Sequence, residues 1–516
     1  MIHCEKGNDL NIKKLQRTIF SGLGLQVLKI FVNMFLRVIF IRELGTQILG
    51  INSLFTNVIT LISITELGMG GAITAYLYKP LAEQKYDEVS ILMEIYKRVY
   101  RGISLSILLI GGIVAIFIPH FVTGYNGNLN LRLLFLLFVL NSSMSYLTAY
   151  RNAIITADRR GYIANLVYNI TFVIQSILQY LALVTLQNYV IYLVISIFAT
   201  LLQNSILNII AVRDYNQIFV RKLKPSKNDY QSILDYVKPM MLYMLSGVVN
   251  NGTDNIIISK FLGVSVVGMY ANYVIVVSAL QSILQTVFSS MTAFVGREFY
   301  VDKNEGERIF RMINFIALWV TFLIAGGLLL FFNSFISWWV GRSMVLSSAT
   351  VWVIVGNFIL IGISQPLIVF REATGSFVHN QFKPVWSTVI NIATSLVLVR
   401  FFGISGVLFG TIVARITTYF WNDPMVLYQK YFYKPVKQYF MAVIAMFGSF
   451  TGYVSIWHFA ISPWIPNGRM SLLQLLVCGI LYLVTFNIYS FVIFGRTVEV
   501  RKIKSLLNKK YQKDCD

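Results

Sequence analysis

Acidic residues, cysteines and histidines are scarce in this chain. Only 13% of its 516 residues are charged while 56% are hydrophobic, a balance that excludes an ordinary soluble domain and points to a membrane protein. Cys4, Cys478 and Cys515 are scattered between two tails and one apolar run, which excludes a disulfide framework and a thiolate metal site. His3, His120, His379 and His458 are isolated, and nothing in the chain resembles a nucleophile beside its base. No G-x-x-x-x-G-K-S/T phosphate loop occurs, so ATP hydrolysis is not expected. The connections between apolar runs are too short for an external catalytic domain. The expectation is a chain that is not an enzyme, with no catalytic residue, no cofactor and no metal.

What is present is a succession of apolar runs of bilayer length. About 14 such runs are readable, which predicts an all-α polytopic membrane protein. The first contains Lys29 and Arg37 and lacks a small-residue cleavage site, so it reads as a retained helix and not a signal peptide. A polar basic stretch at 213–238 interrupts the pattern and divides it. Residues 1–212 form an N-lobe of helices 1 to 6 and residues 239–423 a C-lobe of helices 7 to 12. Helices 13 and 14 lie within 424–494, and 495–516 form a basic tail.

The net charge of +21 raises the question of a nucleic-acid partner. Placement answers it. With a cytosolic N-terminus, most Lys and Arg fall in inner loops and tails, leaving Arg42, Arg132, Lys260, Arg342, Arg400 and Arg469 outside and Lys29, Arg37 and Arg415 within helices. Both termini are therefore expected in the cytoplasm. The basic excess is explained by orientation and by contact with anionic membrane lipid, with no nucleic acid involved.

The first apolar stretch, Ser21 to Gly50, carries Lys29, Asn33 and Arg37 at intervals of four. On a helix these positions form one polar stripe about 12 Å long. Ionisable groups at membrane depth are costly unless they face a bundle interior or an aqueous path, so the stripe suits a central cavity for something anionic. Lys29 has two readings, a point charge for a phosphate and a side chain snorkelling toward the inner headgroups. Arg415, in GTIVARITTY, carries the same alternatives.

A weak internal repeat accompanies the division into lobes. Leu44 to Gly50 matches Leu262 to Gly268 at an offset that places Asn33 on Asn251 and Arg37 on Asn255. Arg151 to Asn169 resembles Arg371 to Asn391 at a similar offset. The expected architecture is therefore two six-helix lobes in a pseudo-two-fold parallel repeat plus two C-terminal helices. Asp254 lies at a depth equivalent to Arg37. The two are candidates for a gating pair across a central cleft, and Asp254 is also a candidate for proton or sodium exchange, against the alternative of a static neutralising pair. Asn251 and Asn255 join that group. Glu66, in ITELGMGG, is a candidate for ion coupling or for a cap at the inner end of helix 2. Arg151 and Arg371 mark the cytosolic entrance, where positive-inside anchoring competes with a substrate role. Pro366 is expected to kink its helix, and Trp338 and Trp339 to sit at an outer boundary.

The pattern R-x7-G-x4-G-x3-LF from Arg37 to Phe55, the ITELGMG that follows, Ala157 to Tyr162 (ADRRGY), and FFGISGVLFGTI from Phe401 to Ile412 resemble the bacterial polysaccharide-transporter family, the Wzx-like oligosaccharide flippases of the multidrug/oligosaccharidyl-lipid/polysaccharide exporter superfamily. The resemblance implies movement of undecaprenyl-diphosphate-linked oligosaccharide repeat units from the inner to the outer leaflet of the plasma membrane by alternating access. Capsule, exopolysaccharide or O-antigen assembly would be served, and polysaccharide polymerase and chain-length proteins are candidate partners. Cationic cavity residues of such proteins suit a diphosphate, a role that Lys29 and Arg37 fit here. Other exporters of the superfamily, a peptidoglycan-precursor flippase or a drug/cation antiporter, form the nearest alternative, and a membrane polysaccharide polymerase a more distant one.

Overall fold

The computed structural model describes residues 2–63, 76–78, 80–81, 83–221, 223, 225–227, 229–231, 252–292, 295, 299, 303–374, 382–461 and 470–501. All regular structure among them is helical. The chain divides into two compact units, Met1–Lys238 and Pro239–Asp516.

In the first unit α1 (Ile2–Ile62) is followed by α2 (Tyr86–Phe121), α3 (Leu131–Leu147), α4 (Ala149–Ile155), α5 (Gly161–Leu181), α6 (Tyr189–Asp214) and the short α7 (Asn216–Val220). Helix α1 is two helices joined across a kink at Gly45, whose φ of 81° and ψ of 175° lie outside the helical region. Asn130 and Asn188 cap α3 and α6, each side chain accepting from two of the otherwise unpaired N–H groups of the first turn. Ser104 and Ser143 hold α2 to α3 with buried hydroxyls 2.7 Å apart. Part of the basic stretch expected as a linker is helical, because α7 continues from α6 and buries Ile218.

In the second unit a helix at 252–262 leads through Gly263 into α8 (Val264–Ser289). Then come α9 (Lys303–Trp339), α10 (Ser348–Thr374), α11 (Lys383–Arg415), α12 (Asn422–Leu427), α13 (Lys437–Ile456) and α14 (Leu472–Phe494). Pro366 lies within α10, and α9 ends on Trp338 and Trp339. Gly263 has φ 93° and ψ 157°, close to the angles of Gly45. Only glycine adopts this region without a steric penalty, so the two LG steps of the sequence repeat are also a repeat of the backbone.

Helix α11 turns back on itself at Gly403, whose φ is 56°. Across the turn, the Ser395 hydroxyl donates to the Val407 carbonyl at 2.9 Å and Asn391 Nδ2 donates to the Thr411 hydroxyl at 2.9 Å. The pairing requires Gly406 and Gly410: a Cβ at Gly406 would collide with the Leu398 carbonyl, and one at Gly410 with the Ser395 hydroxyl. Small residues four apart are the usual means by which helices approach closely in lipid, where hydrophobic burial gives little drive.

Nine helices among the described residues are long and apolar enough to cross a membrane, or ten if Leu131–Leu147 and Ala149–Asp158, bent by 40°, make one span. The hairpin around Gly403 lies within a single one of these, Lys383–Phe432. The protein is therefore an all-α, multi-pass membrane protein.

Candidate functional site

Each unit places a polar group inside an apolar helix layer. In the first, the expected stripe lies on the arm of α1 before Gly45. Lys29 holds its Nζ 5.7 Å from the centroid of the Phe172 ring of α5. Its half-buried position is stabilised by the negative face of that ring, an interaction that leaves the three N–H donors able to meet an anion. Asn33 is exposed on the same face, and Arg37, half-buried, interacts electrostatically with the Tyr192 phenol of α6. Aromatic packing fixes this arm. Phe35 stacks on Tyr180, and Phe40 lies edge-on to Tyr189 and Tyr192 with centroids 5.7 and 5.2 Å away. The Tyr189 hydroxyl donates to Asn52 Oδ1 at 3.0 Å, which ties α6 to the second arm as well.

In the second unit, Asp254 is 7% exposed and Asn255 8%. The Thr411 hydroxyl donates to Asp254 Oδ2 at 3.2 Å while itself accepting from Asn391. Arg415 lies one turn beyond Thr411, on the same face of its helix, and interacts electrostatically with Asp254 and Tyr419. Tyr270 also senses the Asp254 charge. Among the described residues, Asp254 Oδ1, Asn391 Oδ1 and Arg415 Nε have no hydrogen-bond partner. Two oxygens with unused lone pairs thus stand at a buried carboxylate, with apolar packing from Ile257, Ile258, Val267, Val399 and Val407 beside them.

Asp254 and Arg415, expected in different roles, are thus brought to one cluster. Asn391, Thr411, Phe172 and Tyr192 were not singled out as site residues from the sequence. Thr411 was within reach, since it falls inside the FFGISGVLFGTI motif and one turn before Arg415. Asn391 was visible only as the end of a repeat match. Asn251 and Glu66 lie outside the described residues.

The two arginines expected at the cytosolic entrance differ. Arg371 lies 3.8 Å from Asp423, a carboxylate that also pairs with Lys383. Arg151 Nε donates to the Tyr150 hydroxyl at 2.8 Å, and its guanidinium lies over the Phe219 ring at 5.5 Å. No carboxylate comes within ion-pair distance of Arg151 among the described residues. Nearby, Arg160 bridges Asp214 at 2.8 Å, and the Tyr215 hydroxyl donates to Asp158 at 2.7 Å. Burial, and secondarily that carboxylate, push the Tyr215 phenol up to about 12.

The fold is that of the multidrug/oligosaccharidyl-lipid/polysaccharide (MOP) transporters. A lipid II flippase, MurJ, in an inward closed conformation matches 93% of this chain and 99% of its own with a TM-score of 0.64 and 15% identity. An inward-facing multidrug resistance MATE family transporter matches 80% and 96% with a TM-score of 0.59 and 14% identity. A MOP superfamily transporter from Pyrococcus furiosus, described by a binding pocket of reverse polarity that suggests a different function, matches 84% and 93% with a TM-score of 0.51 and 12% identity. No curated protein matches significantly in sequence. The model of the family described as polysaccharide biosynthesis protein matches residues 15–293, more than half of the chain, and the chain belongs to that family.

Proposed function

We propose that this protein is a flippase that moves undecaprenyl-diphosphate-linked oligosaccharide repeat units from the inner to the outer leaflet of the plasma membrane by alternating access, with both termini in the cytoplasm. The observation that carries this reading is the Lys29, Asn33 and Arg37 stripe. A family tied to polysaccharide biosynthesis, in a fold of transporters and flippases, here keeps two cations within an apolar helix, beside the Phe172 ring and the Tyr192 phenol. Such a surface favours a diphosphate, whose charge is delocalised over oxygens that lysine and arginine both bind. It disfavours the organic cations of a drug antiporter, which call for carboxylates. Capsule, exopolysaccharide or O-antigen assembly is the proposed setting, with a polysaccharide polymerase and chain-length proteins as partners.

Asp254 supplies ion coupling in this scheme. Its free Oδ1 and that of Asn391 would receive a proton or sodium ion, and Arg415 would compensate the carboxylate when the ion leaves. The test is flipping of a lipid-linked oligosaccharide in vesicles carrying the purified chain under imposed pH, sodium or voltage gradients. Transport that ignores all three gradients removes the coupled mechanism. Transport of a peptidoglycan precursor in preference to other lipid-linked glycans selects the second reading, which the extent of the MurJ match favours.

A further inference from the structure

A second site lies in the second unit, away from Asp254. A cavity of about 330 Å³ opens between α9, α13 and α14, at the end where α9 and α13 begin and α14 ends. The charge distribution of the sequence assigns that end to the cytosolic leaflet. The volume is at the low end for pockets that take small molecules. Its wall is made by apolar side chains such as Phe315, Leu318, Met446 and Phe494, which suit an acyl chain.

Its polar groups are few and placed in two layers. Deep in the cavity, Asn314 is 4% exposed and Tyr439 1%. Asn314 Oδ1 and the Tyr439 hydroxyl have no hydrogen-bond partner among the described residues. A buried hydroxyl left without a partner is costly, and an ester carbonyl entering the cavity would satisfy that of Tyr439. At the rim stand one cation and one anion, Arg311 and Glu499. Arg311 lines the cavity, and the Glu307 carboxylate 3.7 Å from its Nε is shared with Lys434, so its charge is only partly compensated there. Glu499 has no ion pair among the described residues. The two therefore line one cavity without neutralising each other.

We propose that this cavity binds an aminophospholipid of the inner leaflet. The phosphate diester meets Arg311, the primary ammonium meets Glu499, the Tyr439 hydroxyl and the Asn314 amide N–H donate to the ester carbonyls, and one acyl chain occupies the apolar wall. A purely anionic headgroup would satisfy Arg311 and face Glu499 unfavourably. The occupant is a structural lipid, so the proposal stands apart from the transported cargo.

The experiment is thermal unfolding of the full detergent-purified chain, titrated with dihexanoyl phosphatidylethanolamine, the phosphatidylglycerol equivalent, or the ethanolamine lipid acetylated on its amine. The expected result is an upward shift of the midpoint with half-saturation at about tenfold lower concentration for phosphatidylethanolamine than for the other two, the size of one charge-assisted hydrogen bond. Glu499→Gln should abolish that preference while keeping the residual response, and Arg311→Gln should weaken all three lipids. Ala445→Phe, on the cavity wall two turns into α13, should fill the cavity and remove the response; if this variant fails to fold, the Glu499→Gln comparison decides. Equal shifts with all three lipids, or an unchanged preference in Glu499→Gln, overturn the proposal. So does displacement of the ethanolamine lipid by a polyprenyl diphosphate at lower concentration, which would give the cavity to the carrier chain. None of these readouts involves glycan flipping, so failure here and failure of the flippase reading are separable.

Discussion

Gly45 in the first unit and Gly263 in the second break equivalent helices with nearly the same dihedral angles, yet the charged residues about two turns before them, Arg37 and Asp254, differ in sign. The first unit carries Lys29 and Arg37 against the aromatic surface of Phe172 and Tyr192. The second carries Asp254, buried and held by Thr411, with Arg415 as the nearby cation. A shared scaffold has been given two electrostatic tasks. In the proposed function the cationic half serves an anionic cargo and the carboxylate half a small cation, and neither task is dictated by the backbone that both halves share.

The largest expected effect comes from erasing the cationic half. Lys29→Gln with Arg37→Gln should lower the flipping rate of a lipid-linked oligosaccharide by about a hundredfold or more, as two charge-assisted contacts at roughly 1.5–3 kcal/mol each imply, while the folded protein is retained. A double variant that transports at the parent rate breaks the contrast between the halves. Next is Asp254→Asn. It should leave a slow flipping rate that no longer responds to imposed pH or sodium gradients in vesicles, and a retained gradient response moves the coupling site elsewhere. Reversing both charges, with Arg37→Asp and Asp254→Arg together, asks whether the halves also meet as a gate: recovery of transport over either single reversal supports pairing.

Two smaller effects concern the scaffold. Gly410→Ala should cost about 1–3 kcal/mol, because the added methyl meets the Ser395 hydroxyl and pries Thr411 from Asn391. The check is the thermal midpoint together with the gradient response, both of which should fall. Gly45→Ala meets no neighbouring atom and suffers only from its positive φ, so about 1–2 kcal/mol is expected, with a smaller shift in midpoint.

The cationic half was legible in the sequence because a helix converts spacing directly into a face, and Lys29, Asn33 and Arg37 are spaced by four. The repeat was legible for a related reason: a residue with positive φ tolerates little besides glycine, so Gly45 and Gly263 persist in matching contexts. The carboxylate half was legible only in part. Asp254 stood out as a charge in an apolar run, but its partners come from the far side of the Gly403 turn. Asn391 and Thr411 are twenty residues apart on one helix and meet only because the arms fold together. Gly406 and Gly410 carried that information as a small-residue pair, which reads as close packing without saying against what. Tyr192 and Phe172 left no sequence signal at all, since a ring that backs a cation looks the same as one that faces lipid.

The turn at Gly403 also bears on how the protein enters the bilayer during synthesis. A single glycine, flanked by Phe401 and Phe402 and followed at once by Ile404, offers no hydrophilic loop to be carried across, apart from Arg400. Its two arms already bond to each other through Ser395 with Val407 and Asn391 with Thr411. They are therefore suited to insertion as a paired unit, with the receptor for Asp254 assembled before the unit docks against the helix that carries the carboxylate.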